Sequence, residues 1–250
     1  MAGCVIHSDT DVILAPHRRR DTLTLRDEAG GALIKIVDIS MPLSPDTCPP
    51  LDYPHVEIES LRSHDDDGFE SDKVCQAIHT GTHIDAPYHF YRDGITIERV
   101  QLDKLIGPAR VADLRGKVAG GGFISIANLG ASGVDAQAGL SGMRLLLYTG
   151  WAEAHWNQED LYTAAPHLEE AAAEYMRDLG IMALGVDFPV DPVPSKFLVH
   201  LIMLGAGIPL IENIVHMGDL VGRDFTLVAA PVKLVGGDGA PARVVALLDD

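Results

Sequence analysis

A chain of 250 residues with 47% hydrophobic side chains carries enough apolar material for one sizeable core, which excludes a disordered or fibrous sequence. Its 36 Asp and Glu against 19 Lys and Arg give a formal charge of −17, a surface that repels phosphate backbones and anionic membranes, so neither nucleic acid nor a membrane is an expected partner. That charge leaves room for an anionic small molecule, because a bound divalent cation reverses the field locally.

The three cysteines, Cys4, Cys48 and Cys75, are odd in number and widely spaced, which suggests neither a disulfide framework nor a zinc finger. The N-terminal stretch lacks a basic segment followed by an apolar one, and no apolar run is long enough to span a bilayer, so the expected location is the cytoplasm.

In chain order, residues 1–30 are irregular in pattern and read as an N-terminal arm, leaving residues 31–250 as one domain. Residues 33–39 are rich in Ile and Val and read as a strand. A stiff loop carrying Pro42, Pro45, Pro49, Pro50 and Pro54 follows. Residues 55–59 place Val56 and Ile58 on one face of a half-buried strand, residues 64–68 form an acidic turn, and residues 72–79 return, with Cys75 read as buried. Further strands are expected at 109–114, 123–127, 144–149, 181–187, 225–232 and 242–248. Helices are fewer: a short one over 153–162, one opened by Pro166 and closed by Gly180, and one over 196–204 capped by Ser195 and stopped by Gly205. Strand-rich with interspersed helices, the chain reads as an α/β or α+β domain.

The chemistry concentrates in the segment from His79 to Phe90, where His79, His83, Asp85 and His89 all fall on odd numbers. In an extended chain these four project to one side. Helix is disfavoured by Thr80, Gly81, Thr82 and Pro87, so the cluster belongs on a strand running into a loop. Two imidazoles and a carboxylate (His79, His83, Asp85) make a ligand set for Zn²⁺ or Mn²⁺ that leaves a coordination position open for water, whose pKa falls from about 15.7 to about 7 on such an ion. His89 is then the candidate proton carrier. A purely structural zinc site is the weaker reading, since such sites favour closed, Cys-rich shells and only Cys75 lies near.

His-x-Gly-Thr-His-x-Asp-x-Pro-x-His resembles the signature of the metal-dependent cyclase superfamily, which includes bacterial kynurenine formamidase and isatin hydrolase, and every signature position is present from His79 to His89. The resemblance extends over most of residues 33–248, including the opening Val37-Asp38-Ile39-Ser40-Met41-Pro42-Leu43 and the closing Gly236-Gly237-Asp238-Gly239-Ala240-Pro241-Ala242-Arg243. It implies an α/β fold of the swivelling β/β/α kind, usually a homodimer or homotetramer. It also implies a second metal held by His200 and Glu212 with Asp85 as a bridge, hence one or two Zn²⁺, or Mn²⁺, per chain. The residues alone leave this second site open: a histidine in the apolar 196–204 segment is more often a satisfied core residue, and Glu212 could sit exposed at a strand end. One departure is Val190, where the formamidase-like pattern leads us to expect a serine nearby.

The activity implied is hydrolysis of an amide C–N bond, with N-formylkynurenine as first candidate, isatin or another cyclic amide second, and a lactone third. A metal-binding module without turnover is the alternative from another class. Trp151, after an apolar strand, either lines the pocket or is a core indole, and Tyr53 and Phe69 are further candidates to meet an aromatic substrate. His55, His64, His155 and His167 read as surface residues.

Overall fold

The computed structural model describes residues 22–25, 34–50 and 52–249. Its strands are β1 (Thr22–Leu25), β2 (Ile34–Asp38), β3 (Glu57–Arg62), β4 (Ser71–Cys75), β5 (His83–Asp85), β6 (Ile106–Asp113), β7 (Phe123–Ile124), β8 (Arg144–Tyr148), β9 (His167–Leu168), β10 (Ala183–Val186), β11 (Leu210–Glu212), β12 (Phe225–Pro231) and β13 (Gly239–Asp249). Its α-helices are α1 (His64–Asp67), α2 (Leu102–Leu105), α3 (Ile126–Gly130), α4 (Trp151–His155), α5 (Glu170–Asp178) and α6 (Leu198–Gly205).

The main sheet has nine strands in the order β1-β2-β13-β12-β6-β8-β10-β11-β5, and β13 also pairs with β5. The long β13 does both jobs: Gly239, Ala240 and Pro241 pair with Asp85, Ile84 and His83, while Val245 to Asp249 pair with β2. That extra pairing closes a mixed barrel and covers the edge of β5, with β2 and β1 continuing the sheet outside the closed ring. Strands β6, β8, β10 and β11 run parallel, and the other pairings in this sheet are antiparallel.

Parallel strands are covered on both faces, which explains their unbroken apolar runs. In β8, Leu146 and Tyr148 face a cluster containing Val37, Ile84, Ile211, Leu227 and Val244, the barrel interior. Leu145 and Leu147 face the opposite way, against Ala172, Met176, Val199 and Met203 of α5 and α6. At roughly 1.5–3 kcal/mol per fully buried aliphatic side chain, these two clusters are the main stabilising term. Among the described residues no helix is long and apolar enough to cross a membrane.

The structure corrects several element assignments. The α5 helix begins at Glu170 rather than at Pro166, because His167 and Leu168 are engaged as β9 beside β7. Helix α6 begins at Leu198 with Phe197 at its N-cap, and Ser195 uses its Oγ to accept from the Phe197 N–H instead of capping the helix. The helix expected over 153–162 is only Trp151–His155, and residues 126–127 belong to α3 rather than to a strand. The 64–68 turn is one helical turn, capped by the Ser63 side chain and by Gly68 in the left-handed region (φ 78°).

Among the described residues, strands β3 and β4 pair only with each other. Val56 is buried but precedes β3, whereas Ile58 and Cys75 are exposed, so the ribbon is not the half-buried pair its alternation suggests. His167 is buried with its ring on the Pro189 carbonyl, not a surface residue, and His155 is half-buried. Thr22–Leu25, within the stretch read as an arm, pairs antiparallel with β2, while residues 1–21 lie outside the described residues.

Candidate metal centre

The cluster sits where β5 is wedged between β11 and β13. Gly81, at φ 70°, turns the chain from His79 into β5, and a Cβ there would stand 3.2 Å from Leu43 Cδ1. Thr82 pins the entry: its hydroxyl donates to the Asn213 carbonyl (2.7 Å) and accepts from the Met41 N–H (2.7 Å). His83 and Asp85 alternate with Ile84, so they share one face while Ile84 enters the barrel interior. Pro87 opens the short 3-10 turn that carries His89. Strand is confined to His83–Asp85: β4 ends at Cys75, His79 stands in a turn before β5 and His89 in the 3-10 turn after it, so of the four only His83 and Asp85 lie on the extended chain expected to carry them all. Glu212 comes from the end of β11, opposite His83 in the β5–β11 register, and His200 comes from the first turn of α6.

Asp85 is the hub. Its Oδ1 lies 2.8 Å from His79 Nδ1 and 3.3 Å from His83 Nε2, and its Oδ2 lies 3.7 Å from His200 Nε2. Glu212 brings Oε2 within 3.7 Å of His83 Nε2 and Oε1 within 3.6 Å of His200 Nε2. The structure therefore brings His79, His83, Asp85, His89, His200 and Glu212 into one cluster, in which Glu212 is buried rather than exposed at a strand end and His200 Nε2 lies toward Asp85 and Glu212.

Both Asp85 oxygens, Glu212 Oε1 and His83 Nε2 are buried without a hydrogen-bond partner among the described residues. The close His79–Asp85 approach is thus out of hydrogen-bond alignment. Two buried carboxylates facing three imidazoles with orphaned atoms between them are costly without a cation, and the donor set of N and O atoms fits one. The donor atoms of His79, His83 and Asp85 lie within 4.8 Å of one another, as do those of Asp85, His89 and His200.

Electrostatics follow the same geometry. Burial would raise the Asp85 carboxyl, but His83 and His79 hold it well below the ordinary carboxylate range. Burial, and then Asp85, push Glu212 up. For His79, burial opposes the cation, yet Asp85 and Asp238 raise it to about 10. Burial lowers His89, which favours a neutral ring able to take a proton.

Two carboxylates that sequence reasoning missed hold the backs of these rings. His200 Nδ1 donates to Asp191 Oδ2 (2.7 Å), and the same carboxylate accepts from the Val199 (3.1 Å) and His200 (3.0 Å) N–H groups at the start of α6. Asp238 Oδ2 accepts from His79 Nε2 (3.0 Å) and His89 Nδ1 (3.2 Å). His83 Nδ1 donates to the Gly81 carbonyl (2.9 Å).

The candidate substrate contacts are less central. Trp151 donates its indole N–H to the Leu161 carbonyl and stacks on His155, Tyr53 is exposed, and exposed Phe69 lies between β3 and β4. Among the described contacts none of the three meets a histidine of the cluster. An aromatic wall is instead formed by Phe90, whose ring centroid lies 4.6 Å from His89, 4.9 Å from His200 and 5.5 Å from Phe197.

Residues 37–191, more than half of the chain, match the Cyclase family model, described as "Putative cyclase". A kynurenine formamidase of Bacillus mycoides (strain KBAB4) is 34% identical over 212 residues, covering 84% of this chain and 95% of that protein. Among solved structures, isatin hydrolase A from Ralstonia solanacearum superposes with a TM-score of 0.76 at 24% identity, covering 86% of this chain and 92% of that one. A structure titled as a potential metal-dependent hydrolase with cyclase activity superposes with a TM-score of 0.71 at 27% identity, covering 87% and 99%.

Proposed function

The chain belongs to the Cyclase family, and from that premise we propose that it hydrolyses the C–N bond of an aryl formamide, N-formylkynurenine first. The observation that carries the reading is the convergence of His79, His83, His200 and Glu212 on a buried Asp85 with both oxygens unpartnered. We assign His79, His83 and Asp85 to one divalent cation, Zn²⁺ or Mn²⁺, and Asp85, His200 and Glu212 to a second. A cation bound there supplies Lewis acidity toward water and a carbonyl oxygen.

The chain's own residues account for the proton. Asp238 occupies His89 Nδ1, so Nε2 is the free nitrogen. His89 takes a proton from the attacking water at Nε2 and returns it to the leaving nitrogen, giving formate and an arylamine. Phe90 and Phe197 offer the aromatic ring of such a substrate an apolar wall beside that nitrogen. A cyclic amide such as isatin, opened by the same steps, is the second reading, supported by the backbone likeness to isatin hydrolase A.

The test is metal content per chain after purification without chelator, alongside hydrolysis of N-formylkynurenine and isatin. The expected result is two ions per chain and cleavage of the formyl substrate. One ion with isatin opened moves His200 and Glu212 out of the ligand set, and full activity with no metal overturns the assignment. His89→Ala is expected to keep its metal and lose about 10²-fold or more in kcat, the usual contribution of a general acid/base.

A further inference from the structure

The turn that delivers Asp238 is built into the barrel closure. Gly239 and Ala240 pair with Asp85 and Ile84 across the β13–β5 junction, and the Asp238 carbonyl accepts from the Ala86 N–H (2.9 Å). The Gly237 carbonyl accepts from the Ile97 N–H (3.0 Å). Backbone contacts therefore fix the turn, and the Asp238 side chain is left to do something else.

That side chain reaches two imidazoles with one oxygen. Oδ2 lies 3.0 Å from His79 Nε2 and 3.2 Å from His89 Nδ1, and the two rings lie nearly parallel with centroids 4.0 Å apart and 28° between planes. The other nitrogen of His79 points at Asp85, and the other nitrogen of His89 has no hydrogen-bond partner among the described contacts. A carboxylate accepts and cannot donate, so each ring must present N–H to it. In the neutral rings this fixes opposite tautomers: His79 protonated at Nε2 with Nδ1 bare toward the cation, and His89 protonated at Nδ1 with Nε2 bare toward substrate.

We propose that Asp238 is a shared positioning residue, one carboxylate oxygen that sets the tautomer of a metal ligand and of the proton carrier together. Resting on the reading under "Proposed function", this adds a residue that neither the histidine signature nor the ligand set contains. It predicts that metal affinity and proton transfer fail together when the side chain is removed, although Asp238 lies outside the ligand set assigned above.

The test compares wild type with Asp238→Ala and Asp238→Asn, each in the metal-loaded full chain. Metal affinity is read by chelator competition, the ring tautomers by long-range ¹H–¹⁵N NMR, and kcat and KM on N-formylkynurenine at saturating metal. In Asp238→Ala we expect metal affinity to fall about 10–100-fold, the usual consequence of losing a carboxylate behind a ligating histidine. We expect His89 to lose its Nδ1–H tautomer, and kcat to stay low at saturating metal with KM near the wild-type value. Asp238→Asn keeps one oxygen acceptor and is expected to fall between the two. An unchanged His89 tautomer, unchanged metal affinity, or kcat fully restored by added metal overturns the shared role. If wild type cleaves no formamide, the functional reading fails instead, and the affinity and tautomer measurements still decide the role of Asp238.

Discussion

Asp191 shows how one side chain carries two burdens. Its carboxylate accepts the first-turn N–H groups of Val199 and His200, which no side chain at the N-cap satisfies, and holds His200 Nδ1 so that Nε2 faces Asp85 and Glu212. Asp191→Ala should cost about 1–2 kcal/mol, a lost cap plus a charge-assisted bond, and reduce metal from the proposed two ions per chain to one. Ser195→Ala, at the position the sequence suggests as the cap, should stay within about 0.5 kcal/mol of wild type and keep both ions. Denaturant midpoints and metal stoichiometry check both; equal losses in the two variants would return the capping role to Ser195. The contrast explains what was legible. His79 to His89 lie in one short segment, so their closeness can be read from the sequence, although only His83 and Asp85 share a strand face. Asp191 is nine residues from His200, and Asp238 is 159 residues from His79, so only the closed barrel reveals those partners.

At the scale of elements, the three residues of β5 hold position because both neighbours grip them: β11 sets Glu212 opposite His83, and β13 sets Gly239 opposite Asp85. Gly239 is required by that second contact. A Cβ there would stand 2.7 Å from the Ile84 carbonyl oxygen and 3.4 Å from His79 Cε1. Gly239→Ala should therefore push β13 off β5, cost about 1–3 kcal/mol as other overpacked sites do, and weaken metal binding by displacing Asp85 and His79. Thermal unfolding and chelator competition test this; a wild-type melting temperature with wild-type affinity would show that the seam tolerates the methyl group. The buried parallel strands were readable because their apolar runs leave little choice. Alternation misleads at the β3–β4 ribbon because it predicts a buried face only where something packs on it, and among the described residues these strands pair only with each other.

For the molecule as a whole, the centre makes stability depend on pH differently with and without metal. In the metal-free chain His79 is raised from 6.5 to about 10: burial works against the cation, and Asp85 and Asp238 overcome it. A histidine raised on folding contributes stability that is complete below its unfolded pKa of 6.5 and is lost as pH climbs toward 10. Asp187 adds to the same slope. Burial lifts it from 3.8 to about 7 despite hydrogen bonds from Thr149 and Gly150, so the folded chain binds its proton more readily and stability falls across that interval. Asp238 acts at the acid end: held at about 2 by its bond from His79, it contributes above 3.8 and loses that contribution as pH falls through 2. These terms place the stability maximum of the metal-free chain on the acidic side, at about pH 4, where Asp238 has gained its full contribution and Asp187 has not yet lost its own. A cation that takes His79 Nδ1 must displace the proton from that nitrogen, so metal binding releases a proton and strengthens as pH rises. Denaturant midpoints at pH 5, 7 and 9 should accordingly decline for chelator-stripped protein and decline less, or rise, for metal-loaded protein. Parallel curves would mean that the cation and the proton do not compete for His79, and would remove that histidine from the ligand set.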